Sequence, residues 1–553
     1  MRNYPLYPVQ RLRDLKELTD TISAAYSQHN AFLTMKNPAE YTAVTYQGFG
    51  QEIAALGTAL IEMGLQGKAA AVVGENSYRW VLAYLAVVNI NATIVPLDKE
   101  LPKEAMLDFA DRANAGLLFY SNTYEEEARF IAERIPGMKA VSLQGTDGTA
   151  PSIPKLIEWG QQLLDSGDSR YSSNQIDAER TCTILFTSGT TGGSKGVMLS
   201  HRNLAANITA ACELILYTPE DTMLSVLPVH HTYEAMAGIL CPLYRGATIA
   251  FCEGIKSLPA SLALFKPTVM VLVPLYVETF RRRIWDTAKK HGKAGKLKFG
   301  ITLCNLLAAV GIDLRGKLLA EVLGFFGGRL KFIISGGAAL NPELVRSFRD
   351  FGITLVQGYG TTECAPIIAE NRNRYHKAAS VGRVLSCNEV RISDEGEVQV
   401  RGSNVMKGYL NDTEGTSQAF DGEWYKTGDI GYLDKDGFLY IVGRCKNLIV
   451  LQNGKNVSPE EVEQYLSAIP LISEVMVKEA PGNEYLMALI YADQEALKLM
   501  GEEPLRAALD EAVDAVNAKL VPYKRVRRWE LRKTEFPKTT KRTIMRHQVK
   551  GGE

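Results

Sequence analysis

The sequence predicts an α/β fold: a large N-terminal domain of several subdomains, built from layered α/β sheets, followed by a small C-terminal α/β domain. Apolar strand-like segments at 69–73 and 92–97 alternate with a helix-like segment at 80–88. This alternation is typical of βαβ units, in which parallel strands carry helices on both faces of the sheet. The 553 residues exceed what a single hydrophobic core serves, so at least two domains are expected.

Composition and charge restrict the class of protein. The 62 basic residues balance the 62 acidic ones, so no overall field favours nucleic acid. The eight cysteines include no C-x-x-C pair, as in a reduced cytoplasmic protein. The N-terminus lacks the apolar core of a signal peptide, and the longest apolar runs, such as 269–273, are too short to span a bilayer. We therefore expect a cytoplasmic protein without a nucleic-acid partner.

A glycine- and hydroxyl-rich loop follows the strand-like residues 183–186. Its sequence, TSGTTGGSKG at 187–196, contains one cation and no carboxylate. Glycines allow the backbone to approach a ligand closely, and a lysine supplies a point charge for phosphate oxygens. The loop is not a Walker A motif, because glycine follows its lysine, and a flexible linker would not follow a buried strand so closely. We predict a polyphosphate-binding loop with ligands from Thr187, Ser188, Gly189, Thr190, Thr191, Gly192 and Lys195.

Two histidines and a glutamate, His230, His231 and Glu234, follow the apolar segment 224–228. Adjacent side chains on a strand point to opposite faces, and the His-Glu-x-x-His spacing of zinc enzymes is absent. A metal site is therefore not expected here. His230 is interpreted as a structural histidine.

The string QGYGTTE at 357–363 combines several functional groups. Tyr359 offers an aromatic face between two glycines, and Thr362 offers a hydroxyl donor. Glu363 is a hard oxygen ligand of the kind that Mg²⁺ takes together with substrate phosphates. The alternative for Glu363 is an ordinary exposed glutamate. We predict a nucleotide site with Glu363 as its metal ligand.

These motifs resemble those of the acyl-adenylate-forming enzymes, which include acyl-CoA synthetases, peptide-synthetase adenylation domains and firefly luciferase. The loop at 187–196 matches the family's phosphate loop nearly residue for residue, although Ser194 stands where proline is usual. The strings YGTTE at 359–363, KTGD at 426–429 and GRCKN at 443–447 also match. The resemblance covers about residues 40–547. The sequence LPVHHTYE at 227–234 is most similar to that of the family members that act on long-chain fatty acids.

The resemblance implies roles for further residues. His231 would lie between nucleotide and acyl pocket, and Asp429 would accept the ribose hydroxyls. Arg444 would be the second ribose and phosphate ligand, Lys446 the interdomain hinge, and Gly454 part of the coenzyme A channel. The remaining nucleotide-binding positions are Gly337, Ala338, Gly358, Tyr359, Gly360, Thr361 and Thr362.

A domain boundary is expected near Lys446. After it, Ser458-Pro459-Glu460-Glu461 reads as a capping box that opens a helix, and strand-like and helix-like segments follow. We predict an AMP-binding domain at 1–445 and a lid domain at 446–553. The resemblance implies that this small lid is mobile and rotates between two half-reactions.

The reaction that the resemblance implies has two steps. A fatty acid carboxylate attacks MgATP to give an acyl-adenylate and pyrophosphate, and the thiol of coenzyme A then attacks the acyl carbon. The expected cofactors are ATP, Mg²⁺ and coenzyme A. Transfer of the acyl group to an acyl-carrier protein is the alternative within the enzyme class. The length of the acyl chain is not determined by the sequence.

One departure from the family concerns the C-terminal loop. In the family, Pro-Lys-Thr is followed four positions later by a lysine that reaches the α-phosphate and the carboxylate. Here that position is Thr543. Three interpretations remain: Lys541 replaces the lysine, adenylation is slow, or the chain is a nucleotide- or acyl-binding protein without turnover. We favour Lys541, because residues two apart in an extended segment face the same side.

A cationic stretch at 281–298 predicts peripheral contact with a membrane. Three arginines at 281–283 and several lysines at 289–298 are interleaved with Trp285, Leu297 and Phe299. Each cation near an anionic leaflet contributes about 1 kcal/mol. The alternative is a solvated loop, which is the usual meaning of a charge run.

Overall fold

The computed structural model describes residues 5–145, 151–188, 194–254, 256–452, 455–538 and 544–549. The chain divides into two compact units. The first comprises Met1–Val390 and Val400–Tyr425, and the second comprises Arg391–Gln399 and Lys426–Glu553.

The helices alternate with the strands along most of the chain. In chain order they are α1 (Leu15–Ala25), α2 (Tyr46–Glu62), α3 (Tyr78–Val88), α4 (Lys103–Arg112), α5 (Glu125–Ala132), α6 (Ile153–Asp165), α7 (Arg170–Ser173), α8 (His201–Leu214), α9 (Cys241–Tyr244), α10 (Leu258–Phe265), α11 (Pro274–Lys290), α12 (Ala294–Ala309), α13 (Arg315–Leu318), α14 (Ala320–Gly324), α15 (Pro342–Phe351), α16 (Thr413–Ala419), α17 (Pro459–Leu466), α18 (Gln494–Met500) and α19 (Glu502–Asn517).

The strands are mostly short. They are β1 (Asn30–Asn37), β2 (Glu40–Thr45), β3 (Ala69–Val73), β4 (Thr93–Pro96), β5 (Ala115–Tyr120), β6 (Lys139–Ser142), β7 (Thr181–Ser188), β8 (Ser194–Ser200), β9 (Thr222–Ser225), β10 (Thr248–Phe251), β11 (Val269–Leu272), β12 (Phe332–Ser335), β13 (Thr354–Gly360), β14 (Ile367–Glu370), β15 (Gly382–Val384), β16 (Asn388–Ile392), β17 (Glu397–Gly402), β18 (Gly408–Tyr409), β19 (Phe420–Asp421), β20 (Trp424–Leu433), β21 (Phe438–Arg444), β22 (Ile449–Val450), β23 (Asn456–Val457), β24 (Ile472–Glu479), β25 (Leu486–Ala492) and β26 (Val526–Arg532).

The first unit contains a seven-stranded sheet in the order β18-β8-β7-β4-β3-β5-β6. Strands β3 to β7 pair in parallel, whereas β8 and β18 are antiparallel additions. Every residue of β3 is buried, as expected for a parallel strand that is covered on both faces. On one face lie apolar side chains of α4 and α5, including Phe109 and Ile131.

A second sheet in the first unit runs in the order β2-β1-β10-β9-β11-β12-β13-β14-β15. Strands β9 to β13 pair with one another in parallel, whereas β14 pairs antiparallel with both β13 and β15. Helices α10, α11 and α15 contribute Leu262, Phe280 and Phe348 to the core on this sheet. The predicted parallel α/β layers are therefore confirmed, with antiparallel strands at the sheet edges.

Capping side chains explain where several helices begin. Ser77 accepts a hydrogen bond from Trp80 N at the start of α3, and Ser200 forms a capping box with Asn203 at the start of α8. Asn341 caps α15, and Gly352 ends that helix in the left-handed region with φ +90°. Such caps satisfy backbone groups that a helix terminus leaves without a partner.

The second unit carries its own core. Strands β24 and β25 pair antiparallel and β25 and β26 pair in parallel, with apolar side chains of α17 and α19 packed against them. Ser458 accepts a hydrogen bond from Glu461 N, and Pro459 occupies the first turn of α17. The predicted helix start at Ser458 and the strands of this small α/β unit are confirmed.

The cationic stretch lies on helices rather than in a loop. Residues 281–283 belong to α11, and 294–298 open α12. The interpretation of this stretch as a solvated loop is therefore wrong. No helix in the described part of the chain has the combination of length and apolar character that crossing a membrane requires.

Candidate active site

The predicted phosphate loop joins strands β7 and β8. These strands pair antiparallel up to Thr187 opposite Lys195 and Ser188 opposite Ser194, so the loop starts and ends on a sheet. Of the predicted phosphate ligands, Gly189, Thr190, Thr191 and Gly192 lie outside the described residues.

Lys195 lies beside an aromatic ring and a carboxylate. Its Nζ is 4.4 Å from the centroid of the Tyr409 ring and 3.9 Å from Asp412 Oδ2. The hydroxyl of Tyr409 donates to Glu363 Oε1 at 3.0 Å. The predicted phosphate cation and the predicted metal ligand therefore both contact the same tyrosine.

The backbone holds these groups together. Tyr409 pairs with Val197 of β8, Leu410 N donates to Gly196 O at 2.7 Å, and Met406 N donates to Glu363 O at 2.7 Å. The two-residue strand β18 thus fixes Lys195 and Glu363 in one framework. No motif in the sequence pointed to Tyr409, because its position depends on pairing with a strand far away in the chain.

The YGTTE string continues from β13 into a short 3₁₀ turn, Thr362–Cys364. Gly358 and Tyr359 pair with Glu370 and Ala369 of β14. A Cβ on Gly360 would lie 1.8 Å from Pro366 O, so only glycine fits there. Thr361 N donates to Pro366 O at 2.9 Å. This close approach sets the position of the turn that presents Thr362 and Glu363.

The two histidines lie in a turn after β9 and not on a strand. His231 N donates to Pro228 O at 3.1 Å, and the two imidazole rings are 4.3 Å apart between centroids. The premise that their side chains point to opposite faces is therefore wrong. Together with Asp98, they bring three possible ligand atoms within 4.8 Å of one another.

Asp98 pairs with the buried histidine of this turn. Its Oδ1 lies 3.2 Å from His230 Nε2. Burial alone would raise the pKa of the Asp98 carboxyl, but the hydrogen bond and charge of His230 outweigh it and hold the pKa at about 2. A structural role for His230 agrees with its burial and its pairing with the partly buried Asp98.

The turn with His231 continues towards the other predicted nucleotide segments. Thr232 Oγ1 is 3.5 Å from Thr362 Oγ1. Tyr233 packs on Gly336, where a Cβ would lie 2.8 Å from the ring, and its hydroxyl donates to Ile334 O at 3.2 Å. Gly337 adopts φ +79° in the turn before Ala338. The structure therefore brings the segments 231–233, 336–338 and 362–363 together.

Two carboxyl groups are fully enclosed near this segment. Ser225 donates to Glu234 Oε1 at 2.6 Å, and Glu234 opens a π-helix, Glu234–Leu240, a feature often found at functional sites. Burial raises the pKa of Glu234 to about 8, and burial also raises the pKa of Glu370 to about 8. The sequence pattern predicts burial of neither glutamate.

These carboxyl groups predict a loss of stability with rising pH. Each holds its proton to about pH 8 in the folded state but titrates near 4.5 when unfolded. The folded state therefore binds more protons in that window, and the free energy of unfolding falls by about 1.4 kcal/mol per pH unit per group. This fall in the free energy of unfolding begins above about pH 4.5 and is complete above about pH 8.

The Glu234→Gln variant should show a shallower decline than the wild type between pH 5 and 8. Denaturant unfolding followed by tryptophan fluorescence measures it. The exposed Glu133→Gln change is the matched control and should leave the wild-type slope intact. A wild-type slope in Glu234→Gln would contradict the assignment of a buried, protonated Glu234.

The second unit carries the predicted ribose ligands. Asp429 on β20 faces Arg444 on β21, and Arg444 Nε lies 2.8 Å from Asp429 Oδ1. Asp429 lies within β20, after Gly428 with φ +71°. Asp429 is buried and Arg444 is half exposed.

The remaining predicted residues of the second unit are only partly described. Lys446 lies in a short turn, Cys445–Asn447. Burial and the charge of Arg444 lower its pKa. Gly454, Lys541 and Thr543 lie outside the described residues.

Comparison with known proteins defines the class. Residues 21–410 match the model of the family described as "AMP-binding enzyme", and residues 446–551 match the "AMP-binding enzyme C-terminal domain". The chain therefore belongs to the AMP-binding family of adenylate-forming enzymes. Its fold is the family's mixed α/β fold with a large N-terminal domain and a separate C-terminal domain.

Individual relatives agree with this class. The chain is 30% identical over 539 residues to the long-chain-fatty-acid–CoA ligase FadD15 of Mycobacterium bovis, covering 90% of this chain and 88% of that one. It is 30% identical to the peroxisomal long chain acyl-CoA synthetase 7 of Arabidopsis thaliana, covering 83% and 70%. The crystal structure of the anthranilate CoA ligase AuaEII in complex with anthranoyl-AMP has a similar fold, with a TM-score of 0.77, 20% identity and coverage of 98% and 97%.

Proposed function

We propose that this protein is an ATP-dependent fatty acyl-CoA synthetase that acts on long-chain fatty acids. The observation that carries the proposal is that Lys195 and Glu363 both contact the same tyrosine, Tyr409. A cation for phosphate and a carboxylate for Mg²⁺ are what an enzyme needs to activate a carboxylate with ATP. The names of the relatives that match over most of the chain support the fatty acid as substrate.

The residues of the first unit suit the adenylation step. Lys195 would contact phosphate oxygens, and the ring of Tyr359 would lie against adenine. Thr362 would donate a hydrogen bond to phosphate or carboxylate. His231 would separate the nucleotide from the acyl chain, which would run past the small residues Gly337 and Ala338.

Glu363 fits a magnesium ion. Its Oε1 accepts the hydrogen bond from Tyr409, and within the described residues its Oε2 accepts none, which leaves a hard oxygen donor. A bound Mg²⁺ would supply positive charge to the triphosphate during attack by the fatty acid carboxylate. The protein's part is to hold the phosphates and the carboxylate in line.

Residues of the second unit have proposed roles of their own. Asp429 and Arg444 would bind the ribose. We propose that the AMP-binding domain comprises residues 1–445 and the lid 446–553, with Lys446 as hinge. The lid would rotate between the two half-reactions, and Gly454 would line a coenzyme A channel through which the thiol reaches the acyl-adenylate.

One experiment tests both the thiol that accepts the acyl group and the length of the fatty acid. Purified protein with MgATP, coenzyme A and fatty acids from acetate to palmitate should form acyl-CoA, with the highest kcat/KM for the long chains. Transfer of the acyl group to a holo-acyl-carrier protein, but not to coenzyme A, would identify the alternative acceptor. Binding of ATP and palmitate without any product would identify an adenylation-impaired homologue instead.

We further propose that the protein makes peripheral contact with the anionic inner face of a membrane. The outward face of α12 supports this second proposal. Its inward face, with Leu297, Ile301 and Cys304, packs on the core. Phe299 is 69% exposed and Leu306 is 65% exposed, and they lie one heptad apart on the other face. A surface helix normally presents polar residues there.

Charge favours a lipid surface as the occupant of this face. Residues 274–324 contain ten basic and four acidic residues in a chain without net charge. Beyond α12, Val310, Ile312 and Leu318 are also exposed. Exposed apolar side chains within a basic segment are typical of helices that lie in the interface of an anionic bilayer.

Flotation with liposomes checks the membrane proposal. The wild-type protein should float with phosphatidylglycerol vesicles and remain unbound with phosphatidylcholine vesicles. The double change of Phe299 and Leu306 to glutamate should abolish flotation, since it inserts charge into the contact face. Leu499→Glu is the matched control, because Leu499 is 87% exposed on α18 and should not matter. Equal recovery with both vesicle types would contradict the proposal.

A further inference from the structure

Tyr409 lies between two groups of opposite charge. The Lys195 ammonium is on its ring face at 4.4 Å from the centroid, and its hydroxyl donates to Glu363 Oε1 at 3.0 Å. Tyr409 itself is 8% exposed. One side chain therefore contacts both charges, each through a different part of the ring system.

We propose that Tyr409 is a positioning residue that keeps Lys195 and Glu363 apart and orients each for its own ligand, phosphate and Mg²⁺ respectively. This inference rests on the proposed function of those two residues. A direct ion pair would occupy both groups with each other. A ring face instead attracts an ammonium without taking any of its three N–H donors, and one hydroxyl occupies only one oxygen of a carboxylate.

The backbone around Tyr409 is fixed on both sides. Gly408 and Tyr409 pair with β8, which carries Lys195. Gly408 has φ +137°, and a Cβ there would lie 2.8 Å from Thr416. Tyr409 N donates to Thr416 Oγ1 at 2.9 Å. The backbone of Tyr409 is therefore held by β8 and by α16, through contacts that do not involve either charged side chain.

The hydroxyl of Tyr409 is the donor in its contact with Glu363, because a carboxylate only accepts hydrogen bonds. Phenylalanine would keep the ring face for Lys195 and remove only this donor.

Isothermal titration with α,β-methylene-ATP separates the two roles, because binding can be measured with Mg²⁺ and with EDTA. In the wild type, Mg²⁺ should tighten binding. Tyr409→Phe should lose about threefold to tenfold of affinity in Mg²⁺ only, the range of one hydrogen bond. Tyr409→Leu should lose affinity in EDTA as well, because Lys195 loses the ring face and keeps only the Asp412 carboxylate, 3.9 Å away. Tyr78→Phe, which removes the hydrogen bond from Tyr78 to Glu52, is the matched control and should match the wild type.

The outcomes are distinguishable. No binding of the analogue to the wild type under either condition would contradict the proposed function itself. A full Mg²⁺ effect in Tyr409→Phe would overturn the positioning role while leaving the proposed function intact. Equal losses in Mg²⁺ and EDTA for Tyr409→Phe would also overturn it, since a general disturbance of the fold would act on both.

Discussion

Replacing Glu363 by glutamine is expected to lower the rate of acyl-adenylate formation by about a hundredfold to a thousandfold. The amide keeps the shape of the side chain and can still accept the hydrogen bond from Tyr409. It removes the negative charge that would hold Mg²⁺, and loss of one preorganised electrostatic contact in a transition state costs about 3–4 kcal/mol.

Fatty-acid-dependent exchange of labelled pyrophosphate into ATP measures this effect, since it reports adenylation alone. Glu414→Gln is a suitable control, because it makes the same chemical change at a residue that is exposed on α16. A Glu363→Gln rate within a few-fold of the wild type would exclude Glu363 as the metal ligand.

The second large effect concerns the C-terminal loop. If Lys541 supplies the cation that Thr543 lacks, Lys541→Ala should lower pyrophosphate release by about a hundredfold, because a hydroxyl cannot neutralise phosphate charge. Thr543→Lys should then change the rate little. Both residues lie outside the described residues, so the expectation comes from the sequence alone.

The opposite pattern would identify an impaired enzyme. An unchanged rate in Lys541→Ala, together with about a hundredfold gain in Thr543→Lys, would contradict compensation by Lys541. A matched control is Lys533→Ala, an exposed lysine that precedes the loop. Thioester formation from supplied palmitoyl-adenylate should be normal in both variants, since that step does not need the cation at the α-phosphate.

The strands and helices were the more predictable part of the molecule. The strand predicted at 69–73 has those same bounds in β3, because five consecutive small and β-branched residues are buried on both faces. The apolar segment 224–228 is a strand only as far as Ser225, where β9 ends. The apolar residues after it enter the turn that carries His230 and His231, and apolar composition alone does not separate a strand from such a turn.

Contacts between distant segments were the less predictable part of the candidate site. Lys195, Thr362 and Glu363 were identified from local motifs. Tyr409 was not, since its role depends on the pairing of β18 with β8. Asp98 was missed for the same reason: its pairing with His230 joins the end region of β4 to the turn after β9. Burial of Glu234 and its raised pKa likewise depend on packing, which periodicity does not encode.

The central claim is that this protein activates a fatty acid as its adenylate. The most direct measurement uses palmitate labelled with ¹⁸O in both carboxylate oxygens, with ATP, Mg²⁺ and coenzyme A, and mass spectrometry of the products. Attack of the carboxylate on the α-phosphorus predicts one ¹⁸O atom in each AMP, with none in pyrophosphate. Formation of ADP, with the label in inorganic phosphate, would indicate an acyl-phosphate route and contradict the claim.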